Sequence, residues 1–262
     1  METVACAEDH SGRVPSAHPY FVPACYCTEM TIQGELRAKI EFAKSEVIAA
    51  GKYLARRQYH VGLAGNISAR VGEDLLVCTC RATDKEALTG DDLALCDLDG
   101  RKLDGPGEPT SEINMHRAAY RARPNVHAVV HAHPPIATAF AATSVPLKEL
   151  QLPEMVVLLG PVGFVPYAAP GSQKLADELA RLLPGHDAFL LENHGALTLG
   201  RALRQAALRM DLLEECARIT LAARQLGKPY VLAPEELETL LGFREPMAGW
   251  GCEPFNRRKG ES

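Results

Sequence analysis

The sequence predicts an α/β domain, a mixed or antiparallel sheet covered by helices on both faces. Three observations carry this expectation. Apolar runs of strand length alternate with segments whose hydrophobic residues recur at helical spacing. Several strand-like runs follow one another with only a turn between them, which excludes a strict strand–helix–strand alternation. The chain has 262 residues, 47% of them hydrophobic, so it can bury a sizeable core, yet no apolar run approaches the roughly 18 residues of a membrane span.

Residues 1–30 read as an irregular leader punctuated by Pro15, Pro19 and Pro23. From Thr31 to about Gln58, residues Leu36, Ile40, Ala43, Val47 and Leu54 fall at helical spacing. GLAGNISARV is a Gly-rich turn entering a strand, DLLVCTC a second strand, ATDKEALTGDDL a turn with a short helix, and ALCDLDGRKLDG a hairpin with Asp-Gly turns. PTSEINMHRAAYRARP is a helix entered through Pro109 to Ser111 and ended at Arg123-Pro124. HAVVHAH is a strand, PPIATAFAATS a short helix, and both LPEMVVLLG and GFVPYA suit strands. GSQKLADELARLLPG is amphipathic and helical, HDAFLLEN a buried strand, and the stretch from Ala202 a long helix ended by Gly227. A short helix from about Pro234 precedes a tail, residues 241–262, rich in glycine and proline; residues 31–240 form the domain, with no internal repeat.

The net charge of −5 argues against a nucleic-acid partner, and the early acidic residues Glu2, Glu8 and Asp9 do not suit a secretory signal. Eight cysteines are too sparse for a disulfide scaffold, so a reduced, cytoplasmic protein with a small-molecule substrate and no membrane partner is the expectation. Cys25-x-Cys27 and Cys78-x-Cys80 lack the usual spacing of a four-thiolate metal site and are read as inert, half-buried thiols.

The chemistry concentrates in three places. His131 and His133, two apart at the end of an apolar strand, share one face of it, and His194 follows a second apolar run in AFLLENHGA. Neutral imidazoles converging from two strand ends make a three-nitrogen site for one divalent ion with an open position, as in catalytic zinc centres. His127 shares that face by period two, earlier in the strand, and is read as a core or supporting group. Glu112 lies at a helix start, where a carboxylate complements the helix dipole or serves a nearby metal as ligand or general base. His116, four residues on, shares its helical face as a neighbour. Gly65 and Asn66, in GNIS, offer close backbone approach and a polar contact to an anion.

Taken in order, GNIS, PTSEINMHRAAYRARPNVHAVVHAHPP and LLENHGALTLG resemble the class II aldolase/adducin family in its fuculose-phosphate-aldolase-like form, over about residues 35–225. The resemblance implies a three-layer α/β/α domain with a central mixed, largely antiparallel sheet. It implies one divalent metal ion per chain, zinc first and manganese, iron or cobalt as alternatives, held by His131, His133 and His194. It places the acid/base glutamate at Glu112, where the epimerase branch carries aspartate, and implies homotetramers with active sites at subunit interfaces. The implied reaction is a reversible aldol cleavage, in which Glu112 moves a proton and a metal-stabilised enediolate forms from a small hydroxy-ketone or sugar, phosphorylated or not.

Two departures bear on substrate. The family's Thr-Pro-Ser/Thr-Gly phosphate loop is replaced by Thr79-Cys80-Arg81-Ala82, while Gly65, Asn66, Thr110 and Ser111 of the same pocket remain. Arg81 suits a phosphate or carboxylate gripped in bidentate fashion, or points to solvent. Glu154, in LPEM, stands where fuculose-type enzymes supply a tyrosine proton donor from the neighbouring subunit; it is read as a second acid/base group or a structural carboxylate, with Tyr167 as another loop candidate. A metal-dependent decarboxylase of a hydroxylated acid is the alternative to the aldolase. An adducin-like, non-catalytic binding protein is the alternative from another class, but it has no need of the histidines and glutamate preserved here.

Overall fold

A computed structural model describes residues 24–147, 152–230 and 232–255 of the chain, with side chains described from residue 33. The chain divides into two compact units, residues 1–38 and 39–262. Helix α1 spans Ala24–Arg56 and supplies the described part of the first unit. It begins seven residues before the hydrophobic period predicts.

The second unit is built on eight strands: β1 Asn66–Val71, β2 Leu75–Thr79, β3 Leu93–Asp97, β4 Lys102–Asp104, β5 Ala128–Ala132, β6 Val162–Val165, β7 Ala188–Leu191 and β8 Gly195–Gly200. They form one sheet in the order β4-β3-β2-β1-β5-β8-β7-β6. Every neighbouring pair is antiparallel except β6 with β7. The pairing of β1 with β5 closes the early hairpins onto the later half of the sheet and sets Asn66 opposite His131. Helices α2 Ile113–Ala122, α3 Pro135–Ala142, α4 Gln173–Leu182, α5 Leu203–Leu226 and α6 Pro234–Leu241 complete the unit.

Strand side chains alternate between two cores, as a sheet buried on both faces requires. Val130 and Ala132 of β5, Leu190 of β7 and Ala196 of β8 pack with Val47 and Leu54 of α1, Phe140 of α3 and Met210 of α5. Val129, Phe189, Leu197 and Leu199 point the other way, onto Met115 and Tyr120 of α2 and Leu175 and Leu179 of α4. The three-layer α/β/α architecture with a mixed, largely antiparallel sheet is therefore present. Among the described residues no helix is long and apolar enough to cross a membrane.

Two local expectations are corrected. The run MVVLL is not a strand but a π-helical turn, Met155–Leu159, closed by Gly160 N–H donating to the Met155 carbonyl (2.8 Å). An apolar run of five residues does not distinguish a strand from a buried helical turn. Here two carbonyls that a strand partner would bond instead accept from arginines, Val156 from Arg244 (2.9 Å) and Leu158 from Arg209 (3.4 Å). The run GALTLG, to which the sequence assigned no element, is the interior strand β8, between β5 and β7.

The helix that follows the strand-end histidines is anchored across the core. Glu214 of α5, 1% exposed, accepts from the N–H groups of Ile136 (3.0 Å) and Ala137 (2.9 Å) in the first turn of α3. It satisfies donors that a helix start leaves unpaired. Glu214→Ala is expected to lower unfolding free energy by roughly 2–6 kcal/mol, two orphaned N–H groups at about 1–3 kcal/mol each, measured by urea denaturation. A loss under about 0.5 kcal/mol would show that the anchor is dispensable.

Candidate active site

The sheet brings the three predicted histidines together. His131 is the penultimate residue of β5 and fully buried, His133 follows the strand, and His194 lies in the turn between β7 and β8. One nitrogen from each lies within 4.8 Å of the others. The imidazole of His131 is fixed from two sides. Its Nδ1 donates to the Ala196 carbonyl (2.9 Å), which leaves the Nε2 lone pair facing the cluster, while buried His60 donates from Nε2 to the His131 carbonyl (3.0 Å). His133 Nε2 stands 3.2 Å from His131 Nε2.

Two glycines make this convergence sterically possible. A Cβ on Gly195 would fall 2.4 Å from His133 Cδ2 and 2.8 Å from the Ala132 carbonyl. Gly65, at φ +75°, presses its Cα against the His60 ring and the His131 carbonyl, where a Cβ would come within 2.7 Å of each. In the turn itself Asn193 takes the left-handed conformation (φ 52°), which asparagine tolerates better than most residues.

Glu112 caps the N-terminus of α2 and faces the histidines, with Oε2 3.2 Å from His131 Nε2 and Oε1 3.2 Å from His194 Nε2. Burial alone would raise its pKa, but the imidazoles of His131 and His194 and the Asn66 amide hold it well below the usual carboxylate range. Burial likewise opposes a charge on His131, and Glu112 outweighs it and raises that pKa. Burial and the neighbouring imidazoles push His133 and His194 down to about 4, so both are neutral and unprotonated at physiological pH. Lone pairs without donors, gathered around a carboxylate, form a cation-seeking pocket, and the donor set fits a divalent metal ion.

Behind Glu112 runs a buried chain of hydrogen bonds that sequence reasoning missed. Asn66 Nδ2 donates to Glu112 Oε2 (2.8 Å), so its Oδ1 must accept, and it accepts from His116 Nε2 (2.6 Å). His116 Nδ1 then accepts from the Ser68 hydroxyl (2.7 Å), and Ser68 accepts from Tyr120 (2.7 Å). Burial, reinforced by His131, drives His116 down to about 3, which keeps it in the single neutral tautomer this chain needs. The sequence signal was present: His116 and Tyr120 follow Glu112 at four-residue intervals on one helical face.

A cavity of about 170 Å³ opens beside Glu112 and His133, lined by Gly65, Asn66, Arg81, Thr110 and Ser111. The predicted anion-pocket residues thus lie together. Thr110 Oγ1 accepts from the Glu112 N–H (3.3 Å), and exposed Arg81 donates from Nε to the Pro109 carbonyl (3.0 Å). Ala82 keeps a left-handed backbone (φ 53°) where the family loop carries glycine. Lys85, concealed in a turn, also lines this cavity. The residue is 1% exposed; its ammonium donates to the carbonyls of Leu63 (3.0 Å) and Thr83 (2.8 Å), and burial lowers its pKa to about 8.

Other candidates fall elsewhere. His127 is exposed, ahead of β5, and is neither a core group nor a support for the cluster; the strand carries only its later histidines to the site. Glu154 is exposed beside the π-helical turn and makes no hydrogen bond or ion pair with the cluster among the described residues; Tyr167 is 54% exposed. Cys78 and Cys80 are buried free thiols, Cys78 lying 4.0 Å from Cys96, while the side chains of Cys25 and Cys27 lie outside the described residues.

Fold and donor set together define a three-layer α/β/α protein of the divalent-metal lyase type. Residues 45–221 match the Class II Aldolase and Adducin N-terminal domain, and the chain belongs to the class II aldolase/adducin family. It is 38% identical to the L-fuculose phosphate aldolase of Methanocaldococcus jannaschii over 178 residues, 68% of this chain and 95% of that one. It is 34% identical to the 3-oxo-tetronate 4-phosphate decarboxylase of Pectobacterium atrosepticum over 197 residues, 73% of this chain and 87% of the relative. A solved L-fuculose 1-phosphate aldolase superposes with a TM-score of 0.72 at 31% identity, over 76% of this chain and 94% of that structure.

The packing of Gly195 against His133 generates a test that needs no substrate. Gly195→Ala is expected to displace that ring and lower the divalent-ion content of purified protein, read by elemental analysis, by about tenfold in affinity. Circular dichroism should remain that of the folded chain. Unchanged metal content would separate His133 from the metal site.

Proposed function

We propose that this chain is a metal-dependent aldolase that cleaves or forms a carbon–carbon bond in a small hydroxy-ketone or sugar bearing an anionic group. The supporting observation is the placement of a buried carboxylate, Glu112, within 3.2 Å of two of three converging imidazoles and at the wall of a cation-lined cavity. Zinc is the ion best matched to His131, His133 and His194, ahead of manganese, iron or cobalt, and when bound it supplies Lewis-acid polarisation of substrate oxygens.

The protein's own residues do the rest. Lys85 and Arg81, with Asn66, Thr110 and Ser111, bind the anionic end of the substrate and set its register. Glu112 moves the proton. Its Oε2 is held by Asn66, whereas buried Oε1 accepts no hydrogen bond among the described residues and is the atom that takes up or returns the proton. The chain from Tyr120 to Asn66 keeps that carboxylate from rotating away. A cytoplasmic homotetramer completes the reading, with Glu154 of one subunit offered to the site of another as a further acid/base group.

The second reading is decarboxylation of a hydroxylated acid, which leaves a similar carbanion. It is favoured by the 3-oxo-tetronate 4-phosphate decarboxylase relative and by a guanidinium, Arg81, in the loop that borders the cavity. Aldol product from dihydroxyacetone phosphate and an aldehyde panel supports the aldolase; carbon dioxide release from hydroxy- and oxo-acid phosphates without aldol product supports the decarboxylase.

Glu112→Gln keeps the shape of the site and removes the base. It is expected to lower turnover by at least about 10²-fold while the metal stays bound, and full activity in this variant would remove Glu112 from the reaction. Lys85→Met is expected to raise KM for a phosphorylated substrate by about tenfold, the loss of one charge-assisted contact, and to leave that for its unphosphorylated counterpart nearly unchanged. Steady-state kinetics on the two substrates decide it.

A further inference from the structure

A second cavity, of about 150 Å³, lies at the opposite end of β8. Gly195, at one end of that strand, packs on His133; Gly200, at the other end, lines the second cavity. The two sites are thus separated by about 17 Å along the strand at about 3.4 Å per residue. The lining contains four arginines, Arg123, Arg201, Arg209 and Arg244, and a single acid, Asp187.

Three of the guanidinium groups are locked in place around that carboxylate. Arg123 and Arg209 each approach Asp187 to 3.0 Å, and Arg244 to 3.5 Å. Their remaining bonds go to neutral acceptors: Arg123 Nη1 to the Leu183 carbonyl (2.9 Å) and its Nε to Asn125 Oδ1 (3.1 Å), Arg209 Nη1 to the Leu199 carbonyl (2.7 Å) and Arg244 Nη1 to the Val156 carbonyl (2.9 Å). A carbonyl orients a guanidinium without neutralising it. The cradle is therefore rigid and still carries an excess of two positive charges, which Arg201 in the lining raises to three. Arg201 is exposed, and its side chain makes no hydrogen bond or ion pair among the described residues. Burial lowers the pKa of Arg209; Asp187 raises it, and the nearby Arg244 and Arg123 lower it again.

We propose that this cavity is a second anion site, which binds the phosphate dianion of inorganic phosphate or of a small phosphate monoester. Preorganised guanidinium forks match the paired oxygens of phosphate, and a dianion offsets most of the unpaired charge that the fold holds there. Trp250 and Met247, also in the lining, give an ester's carbon skeleton an apolar surface. This site is separate from the proposed reaction and does not depend on it.

Trp250 is the chain's single tryptophan, so the cavity reports on itself. Intact protein is titrated with inorganic phosphate, and separately with glycerol 3-phosphate, at ionic strength held constant with potassium chloride. The expected result is a saturable change in Trp250 emission. Affinity should fall by about fivefold or more in Arg201→Ala and in Arg244→Lys and stay unchanged in Arg81→Ala, which alters only the cavity beside Glu112. Tighter binding of glycerol 3-phosphate assigns the site to an ester, and equal or weaker binding assigns it to the free ion. The proposal is overturned by an emission that does not change, or by one that responds identically in the wild type, Arg201→Ala and Arg244→Lys. Arg201→Ala removes an exposed side chain with no described partner, so its result does not hinge on folding.

Discussion

The buried meeting of Glu112 with the imidazoles of His131 and His194 is the interaction on which the rest of the site depends. A carboxylate and three nitrogen lone pairs in one pocket repel each other unless a cation lies among them, because burial removes the water that would otherwise solvate them. The fold pins this arrangement with hydrogen bonds and packing. His131 is bonded at Nδ1 and at its own carbonyl, His133 rests on the Cα of Gly195, and Glu112 rides on the first residues of a helix. The β1–β5 pairing makes this possible, since it sets Asn66 opposite His131 and under α2.

That pairing also explains why the Glu112 carboxylate is held so firmly. From Tyr120 through Ser68, His116 and Asn66 to Glu112, every donor in the chain has one acceptor, and reversing any member would leave two donors or two acceptors face to face. Neutral hydrogen bonds contribute only about 1 kcal/mol each to stability, so their value here lies in orientation more than in folding energy. A carboxylate that already stands in its working position loses little freedom when substrate arrives. His116 reaches Glu112 only through Asn66.

Much of this was legible in the sequence, for identifiable reasons. Two histidines at period two after an apolar strand, and a third in an Asn-His-Gly turn, are local signals that survive without a structure. The alternation of strand faces is local too, which is why the two-sided sheet was readable. What escaped depends on long-range approach or on ambiguous local chemistry. Lys85 looks like an ordinary surface lysine in a polar turn, and only the folded loop buries its ammonium against the carbonyls of Leu63 and Thr83. MVVLL is apolar enough for a strand, and the arginines that bond its carbonyls lie about fifty and ninety residues further on. The arginine cradle gathers Arg123, Arg209 and Arg244 from separate segments around Asp187, and no spacing rule connects them.

The two ends of β8 therefore present opposite electrostatic problems with one form of solution. At the Gly195 end the fold concentrates lone pairs and a carboxylate; at the Gly200 end it concentrates guanidinium groups around one aspartate. Neither concentration is explained by hydrophobic burial, which favours apolar side chains in both places. Each costs free energy in the empty state, and a ligand of opposite charge relieves that cost. The strand between them is buried along its whole length and bonded on both sides, to β5 and to β7, so neither end relaxes easily by moving its backbone. An element this rigid holds like charges together at both ends at a cost in free energy, and the same preorganisation makes each end selective for a counter-charge of matching shape.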